Sequence, residues 1–206
     1  MQIDELVRAI LAIVVGYVVG GIPWGVIVAR VAGGPDPRSL GSGRTGGANV
    51  LRAVGPRAAL ASGLLDVGKG VVAVLFARLL GTGLVIEILA ALAAILGHSR
   101  SPFLGLQGGR GVSAGIGGLL VLQPIVAAVI VPVFALVLVL SRYSSLASLT
   151  ASAVGGIVVV AMAIAAPLPV AYIGYGIAAP AMIWIFHADN IQRLLRGQER
   201  RFGERG

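Results

Sequence analysis

The stretch PIVAAVIVPVFALVLVL, residues 124–140, has no charged side chain and is nearly long enough to cross a bilayer as a helix. Similar apolar runs recur along the 206 residues, of which 57% are hydrophobic and only 12% are charged. Soluble domains carry about 25% charged residues, because they must cover their surface with polar groups. The sequence therefore predicts an all-α integral membrane protein whose single domain spans residues 1–206.

Seven apolar segments are predicted to be transmembrane helices. They cover residues 6–31, 58–80, 84–96, 112–122, 124–140, 150–165 and 170–186. The third and fourth are short, and residues 97–111 between them are neither apolar nor periodic. Both are therefore interpreted as partial or tilted helices.

Four polar stretches follow the odd-numbered spans, at residues 33–50, 98–111, 142–149 and 187–206. An odd number of crossings returns the chain to the same face each time, so the four stretches are predicted to share one side. Apart from Arg8, Arg78 and Lys69 within the second span, the 16 Lys and Arg residues fall in or beside them. By the positive-inside bias this face is cytoplasmic, with the N-terminus outside and the C-terminal tail inside. The net charge of +8 is thus assigned to topology and not to nucleic acid.

Residue composition narrows the chemistry further. The chain has no cysteine, which excludes disulfides, thiolate zinc sites and cysteine nucleophiles. Neither His98 nor His187 has a second metal ligand at helical spacing, so no metal and no cofactor are expected. The N-terminal run begins with Asp4 and Glu5 and lacks a cleavage site, so it is interpreted as a retained span.

Two glycine-rich segments have the composition of anion-binding loops. GSGRTGGANVLR, residues 41–52, contains four glycines and two arginines, and GGRG follows at residues 108–111. Glycine lets several backbone N–H groups point at one anion, and an arginine adds a charged fork. Two such loops on one face predict two anions or one large one; the alternative is that they only turn the chain between helices. Asp66 and Lys69, inside the second span, are expected to pair or to face a polar cavity.

The tail, residues 191–206, has an amphipathic pattern. Ile191, Leu194 and Leu195 would share one face of a helix, opposite Arg193 and Arg196. The pattern predicts an interfacial helix that anchors on anionic lipid.

At these residues the chain resembles the bacterial acyl-phosphate:glycerol-3-phosphate acyltransferases. Five motifs of that family recur in order: Gly41, Ser42, Gly43, Gly46, Asn49 and Arg52; Asp66, Lys69 and Gly70; Gly97, His98, Gly108, Gly109, Gly111 and Val112; Arg142, Ser145, Leu146 and Ser148; His187, Asn190, Ile191, Arg193, Leu194, Gly197 and Glu199. The chain departs from the pattern at Arg44, where the family has Asn, and at Arg110, where it has Lys. Gly47 and Ala48 replace Ala and Thr, and Pro102 lies one place late.

The resemblance implies a seven-helix bacterial inner-membrane enzyme with a cytoplasmic site. It would transfer an acyl chain from acyl phosphate to the 1-hydroxyl of glycerol 3-phosphate, giving lysophosphatidic acid and phosphate, the first step of phospholipid synthesis. The candidate catalytic residues are His187, Asn190 and Ser42. The candidate phosphate ligands are Gly41, Gly43, Asn49, Arg52, Lys69, Gly108, Gly109, Arg110, Arg142 and Ser145.

Several alternatives stay open at this point. His187 either acts as a general base or only orients substrate, in which case a substrate phosphate oxygen takes the proton. Acyl-CoA or acyl carrier protein is an alternative donor, and Arg44 and Arg110 raise the alternative of another acceptor. A non-catalytic membrane transporter or binding protein for an organophosphate is the alternative from a different class.

Overall fold

The computed structural model describes residues 2–166 and 168–203. The predicted domain also includes positions 1 and 167 and residues 204–206, which lie outside the described residues. Residues 204–206 belong to the predicted tail helix as well. The described part is helical and contains no β-strand. Its α-helices are α1 Ile3–Gly21, α2 Trp24–Val31, α3 Gly47–Val54, α4 Pro56–Leu79, α5 Leu84–Ser99, α6 Val112–Leu122, α7 Pro124–Ser141, α8 Ser144–Ala165, α9 Ala171–Phe186 and α10 Ala188–Leu195. Single 3₁₀ turns lie at Pro37–Ser39 and Pro102–Leu104.

Five segments of the described chain are long and apolar enough to cross a membrane. They are Ile3–Val31, Pro56–Leu79, Leu84–Leu104, Pro124–Ser141 and Ser144–Ala165. The bent pair α9 and α10, whose axes differ by 66°, makes a sixth if it is counted as one span. Helix α6 has 11 residues, about 16 Å, which is shorter than the hydrocarbon core. The count of seven spans therefore stays a prediction.

Two of the predicted boundaries differ from the structure. The predicted first span is two helices, because the chain leaves helical geometry at Ile22 and Pro23, and proline lacks the N–H that would continue the ladder. The predicted polar stretch 142–149 is mostly helical, since α8 already begins at Ser144. Ser145 and Ser148 therefore project from the first turns of a spanning helix.

Small residues allow the helices to pack closely, as is usual in membranes. On α1, Gly16 faces Ala90 of α5, and Gly20 faces Ala94. The residue numbers of the contacts increase in the same direction along both helices, so α1 and α5 are parallel. Helix α4, which lies between them in the chain, runs in the opposite direction. Similar glycine contacts join α4 to α6 and α8 to α9; they pair Gly70 with Ala114, Gly117 with Val67, and Gly156 with Gly176.

The outer surface of the helices is apolar. On α7, Val139 and Leu140 are each 75% exposed, and Leu79 at the end of α4 is 84% exposed. Such a surface suits lipid, where burying apolar groups against protein gives no advantage. The prediction of an all-α integral membrane fold agrees with this architecture.

Candidate active site

The polar stretches of the sequence converge on one open cavity of about 670 Å³. Its polar end is lined by residues from the segment 42–56, from residues 109–113, from the start of α8 and from the C-terminal segment 187–202. This confirms that these stretches lie on one face of the helices. Its other end is an apolar groove between α4, α6 and α7, formed by Leu60, Leu64, Val67, Ile116, Val131, Phe134 and Leu138.

The first glycine-rich loop is held closed by the side chain of Asn49. Its Nδ2 donates to the Leu40 carbonyl at 3.0 Å and to the Arg44 carbonyl at 2.9 Å, while its Oδ1 accepts from Arg52 Nη1 at 2.9 Å. Gly41 has φ of +54°, and a Cβ there would lie 2.5 Å from Asn49 Oδ1. The loop thus needs glycine at 41 both for its backbone conformation and for space. Asn49 shapes the loop more than it offers free groups to a ligand.

The polar end of the cavity favours anions. Helices α3 and α6 begin beside it, since Gly47 and Val112 both line the wall. Unpaired N–H groups and the positive end of the macrodipole make helix N-termini anion-binding. The guanidinium-bearing residues Arg44, Arg52 and Arg110 line the same space, so an organophosphate would meet both charge and backbone donors here.

We name the group around His187 the His187 corner: Arg110, His187, Asp189, Asn190, Arg193 and Glu199. Arg110 Nη2 donates to Asp189 Oδ2 at 2.9 Å, and Arg193 lies 3.2 Å from the same oxygen. Glu199 accepts from Asn190 Nδ2 at 2.7 Å, from Ser145 Oγ at 3.0 Å and from Arg193 Nε at 2.9 Å. The carboxylates therefore fix the donors that face the cavity.

The C-terminal segment forms a wall of this corner. Helix α10 ends at Leu195, and the chain reverses at Gly197, where φ is +66°. The Phe202 N–H then donates to the Arg142 carbonyl at 2.6 Å, and Arg52 Nη2 donates to the Arg201 carbonyl at 3.3 Å. The predicted interfacial tail helix is thus limited to α10, because the rest of the described tail folds back onto the site.

The ring of His187 is neutral and its tautomer is fixed. Just beyond the end of α9, its Nδ1 lies 2.7 Å from the Ile183 carbonyl, which can only accept, so Nδ1 carries the proton and Nε2 carries the lone pair. Burial lowers the pKa of His187 to about 4. At neutral pH the ring offers an acceptor and is a weak base.

The same environment acts on the charged neighbours of His187. Burial lowers the pKa of Arg110, while Asp189 opposes that change. Burial alone would raise the pKa of Asp189, but the combined attraction of Arg110 and Arg193 outweighs it and holds that pKa below its ordinary value. Asp189 is therefore ionised at neutral pH and keeps Arg110 charged.

We name a second group the His98 corner: Asp66, Lys69, His98, Gly108 and Gly109. Lys69 Nζ lies 2.6 Å from Asp66 Oδ1 and 3.2 Å from His98 Nδ1, and all three residues are buried. The Gly109 N–H donates to the His98 carbonyl at 2.9 Å. A Cβ on Gly109 would collide with His98 Nε2, and one on Gly108 would collide with the His98 carbonyl. The two glycines thus let the second loop pack against His98.

The structure divides the predicted site residues into two groups. Those on the cavity wall are Ser42, Asn49, Arg52, Gly109, Arg110, Ser145, His187 and Asn190. Gly41, Gly43, Lys69, Gly108 and Arg142 are not among the described residues that line it. Lys69 forms a buried ion pair with Asp66. Arg142 is exposed at the end of α7, where its φ is +60°. Direct phosphate contact, predicted for these five, does not follow from this geometry.

Other residues of the wall were not predicted as site residues. Arg44, Asp66, His98 and Glu199 line the cavity, and Asp189 holds Arg110 from behind. Glu199 and His98 belong to motifs of the resemblance, so a signal for them existed, whereas nothing local in the sequence marks Asp189. Among the described residues no cluster of three or more His, Asp or Glu side chains suits a metal ion.

Known proteins match this chain over almost its whole length. The family model for glycerol-3-phosphate acyltransferase matches residues 10–197. Glycerol-3-phosphate acyltransferase 3 of Dehalococcoides mccartyi (strain ATCC BAA-2266 / KCTC 15142 / 195) is 39% identical, covering 97% of this chain and 98% of that protein. The glycerol-3-phosphate acyltransferase of Rubrobacter xylanophilus is 40% identical, covering 95% of this chain and 96% of that protein.

Solved structures match as well. The crystal structure of PlsY (YgiH), an integral membrane glycerol 3-phosphate acyltransferase, in its glycerol 3-phosphate form superposes with a TM-score of 0.85 and 34% identity, covering 95% of this chain and 96% of that one. Its lysophosphatidic acid form gives a TM-score of 0.82 and 32% identity, covering 95% of both chains. The chain therefore belongs to the glycerol-3-phosphate acyltransferase family of integral membrane enzymes.

Proposed function

We propose that the protein transfers an acyl chain from acyl phosphate to the 1-hydroxyl of sn-glycerol 3-phosphate. The hydroxyl oxygen attacks the carbonyl carbon, an ester bond forms, and the bond from that carbon to the bridging oxygen breaks. The products are lysophosphatidic acid and inorganic phosphate, which leaves with the electron pair and the hydroxyl proton. The lysophosphatidic acid form of the similar PlsY structure supports this product.

One observation carries the proposal: a single cavity joins a cationic polar end to an apolar groove. The groove residues on α7, Val131, Phe134 and Leu138, offer apolar contact to an acyl chain whose head lies at the polar end. Such a cavity suits a reaction between one amphipathic and one polar organophosphate. An acyl phosphate carbonyl is already activated, so positioning and charge stabilisation supply much of the rate.

The phosphate groups of the two substrates bind at separate places in this proposal. Glycerol 3-phosphate binds at the loop of residues 41–52, where Ser42 and Arg52 face the cavity next to the N-terminus of α3. The acyl phosphate head lies by the N-terminus of α6, next to the apolar groove. Arg110 lies between them, because its Nη1 is 3.5 Å from Ser42 Oγ while its backbone precedes α6.

His187 orients the attacking hydroxyl. Its Nε2 lone pair accepts a hydrogen bond, and Asn190 is held beside it by Glu199. With a pKa of about 4, the ring binds a proton too weakly to be an efficient base at neutral pH. The low pKa supports transfer of the proton to an oxygen of the acyl phosphate itself.

The membrane setting completes the proposal. The protein is a single domain in the inner membrane of a bacterium, with seven crossings, the N-terminus outside and the site on the cytoplasmic face. The concentration of Lys and Arg in the stretches that line the cavity supports this orientation. Its partners are the two substrates and membrane lipid, and nucleic acid is not among them.

The direct test uses the purified protein in lipid vesicles. We expect palmitoyl phosphate and glycerol 3-phosphate to give lysophosphatidic acid and phosphate in equal amounts, and palmitoyl-CoA to give none. Arg52→Ala should lose the product, while Arg196→Ala, which removes an exposed arginine outside the cavity, should keep it. Uptake of glycerol 3-phosphate into vesicles without any lipid product would instead identify a transporter.

Arg44 favours a second candidate, an acyltransferase with a different acceptor. It lines the cavity and adds a cation where the resembling family has Asn. If another acceptor is the natural one, the double variant Arg44→Asn/Arg110→Lys gains activity on glycerol 3-phosphate. A loss of activity in that variant would exclude this candidate.

A further inference from the structure

We infer that His98 is a further substrate-contacting residue, which donates its Nε2–H to an oxygen of the acyl phosphate head. Lys69 and Asp66 are positioning residues that fix this tautomer. The inference rests on the proposed function for the identity of the ligand, but the state of the His98 ring can be measured without any turnover.

Three residues of the His98 corner are buried ionisable groups. Asp66 and Lys69 are each 3% exposed and His98 is 6% exposed. Both Asp66 and Lys69 lie on α4, and His98 lies near the end of α5. Charged groups at such depth in a membrane protein are costly and usually serve a function.

The contacts of Lys69 determine which nitrogen of His98 carries the proton. Asp66 Oδ1, at 2.6 Å, forms an ion pair with the Lys69 ammonium. An ammonium has donors and no acceptor, so His98 Nδ1, at 3.2 Å, must accept from it. A second proton on His98 would place two cations side by side, because Nδ1 is 3.6 Å from Asp66 and closer to Lys69. His98 is therefore neutral with its proton on Nε2.

Nε2 lies at the cavity wall beside Gly109. His98, Gly109 and Arg110 all line the cavity, and a Cβ on Gly109 would collide with Nε2. Glycine at 109 thus lets the loop backbone pack directly against this edge of the ring, where any side chain would displace it. Asp66 also lines the cavity, but its charge is compensated by Lys69, so the corner does not repel an anion.

The position of His98 indicates that its ligand is the acyl donor. Asp66, which lies beside His98, is followed on α4 by Val67, and both Val67 and Ile116 of α6 line the apolar part of the same cavity. When an acyl chain fills that groove, the carbonyl and phosphoryl oxygens lie at its polar mouth. A fixed, neutral N–H at this point stabilises negative charge that develops there, and it moves no proton.

Nitrogen-15 NMR tests the tautomers directly, because the chain contains only two histidines. In protein labelled with ¹⁵N-histidine in nanodiscs, we expect His98 to show a protonated Nε2 and a bare Nδ1, and His187 to show the reverse. The variant His187→Gln assigns the signals. A protonated Nδ1 on His98 would overturn the inference.

Ligand titration then tests the contact. A hydrolysis-resistant acyl phosphonate should move the His98 Nε2–H resonance to higher frequency, and glycerol 3-phosphate alone should leave it in place. A response to glycerol 3-phosphate only, or to neither ligand, would contradict the assignment. Failure of acyl transfer by the wild-type protein would instead reject the proposed function, whichever tautomer is found.

Kinetic measurements distinguish a direct contact between His98 and the substrate from a purely structural role of His98. Gln at 98 can place an N–H near the position of Nε2, whereas Asn reaches only the position of Nδ1. We expect His98→Gln to lose less than about 10-fold in kcat and His98→Asn to lose roughly 100-fold, the loss typical of one missing oxyanion donor, with the KM for glycerol 3-phosphate unchanged in both. If both variants keep the wild-type melting temperature and lose kcat equally, the role of the His98 Nε2–H as a donor would be overturned.

Discussion

The His98 corner and the His187 corner bring the same side chain to one cavity by different means. His98 is oriented by Lys69 and Asp66, which lie deep inside a spanning helix. His187 is oriented by the backbone carbonyl of Ile183 and surrounded by partly exposed charges of α10 and the tail. The opposite partners of Nδ1 leave opposite groups at Nε2, a donor on His98 and an acceptor on His187. A membrane enzyme can thus obtain complementary chemistry from two neutral histidines.

The corners also differ in how their charges are compensated. Inside the membrane, one cation and one anion form a buried pair, so removal of either leaves an isolated buried charge. At the interface, Asp189 and Arg193 keep side-chain exposures of 38% and 23%, and solvent screens their interaction. Loss of charge should therefore affect stability in the first corner and activity in the second.

The largest effect on activity is expected at Arg110. Arg110→Ala removes the charged donor that links Ser42 to Asp189, and a loss of two charge-assisted hydrogen bonds corresponds to a fall of roughly 1,000-fold in kcat/KM. Arg110→Lys keeps the charge without the planar fork and should lose only about 10-fold. The assay is acyl transfer in vesicles, with Arg196→Ala as the control. Equal activity of the Ala and Lys variants would show that the charge at 110 is not used.

The buried pair is expected to give the largest effect on stability. Asp66→Asn and Lys69→Met should each lower the free energy of unfolding by about 3–5 kcal/mol, because each leaves one uncompensated charge. The double variant should recover most of this loss. Asp189→Asn, in the other corner, should change stability by less than about 1 kcal/mol. Thermal unfolding in detergent measures all four, and additive losses in the double variant would contradict the pairing.

The contact between Gly109 and His98 gives an intermediate effect. A methyl group at 109 would displace the His98 ring from the cavity wall, and we expect Gly109→Ala to lower kcat by roughly 10- to 100-fold, as when one fixed donor is misplaced. Gly68→Ala is the matched control, because a Cβ at 68 meets nothing within 4 Å. Unchanged kcat in Gly109→Ala would show that the contact between the second loop and His98 does not affect the reaction.

The smallest expected effect concerns the pH dependence contributed by His187. Its pKa of about 4 means that the ring stays neutral as the pH falls from 8 to 5.5, and its acceptor is lost only as the pH approaches 4. The ratio of kcat/KM between wild type and His187→Gln should therefore be constant over that range, whatever the substrate phosphates do. A base that titrates near about 6.5 would instead make the ratio fall about 10-fold by pH 5.5.

Features that depend on local hydrophobicity could be predicted from the sequence alone. Apolar runs predicted the helical membrane fold, and counting spans placed the polar stretches on one face, because both depend on local hydrophobicity. His187 and Asn190 were found by the resemblance. The sequence marked Lys69 as a charge in a span, but its contact with His98 joins residues 29 positions apart.

The predictions that this geometry does not support share one physical origin. The resemblance made Lys69 a candidate phosphate ligand, but its ammonium contacts both Asp66, the pairing expected from the sequence, and His98, which is distant in the chain. The tail was predicted to lie on the membrane as a helix, yet Glu199 is held by Ser145, 54 residues away. Asp189 supports Arg110 across 79 residues. Contacts between distant segments decide which charges are available to a ligand, and no local pattern encodes them.

The most direct test of the proposed reaction follows one oxygen atom. Palmitoyl phosphate labelled with ¹⁸O at the bridging oxygen is incubated with glycerol 3-phosphate and the protein in vesicles, and both products are analysed by mass spectrometry. Attack of the hydroxyl on the carbonyl carbon predicts that all of the label leaves in inorganic phosphate and that lysophosphatidic acid contains none. Label in the lipid, or phosphate released without lysophosphatidic acid, would contradict acyl transfer at this cavity.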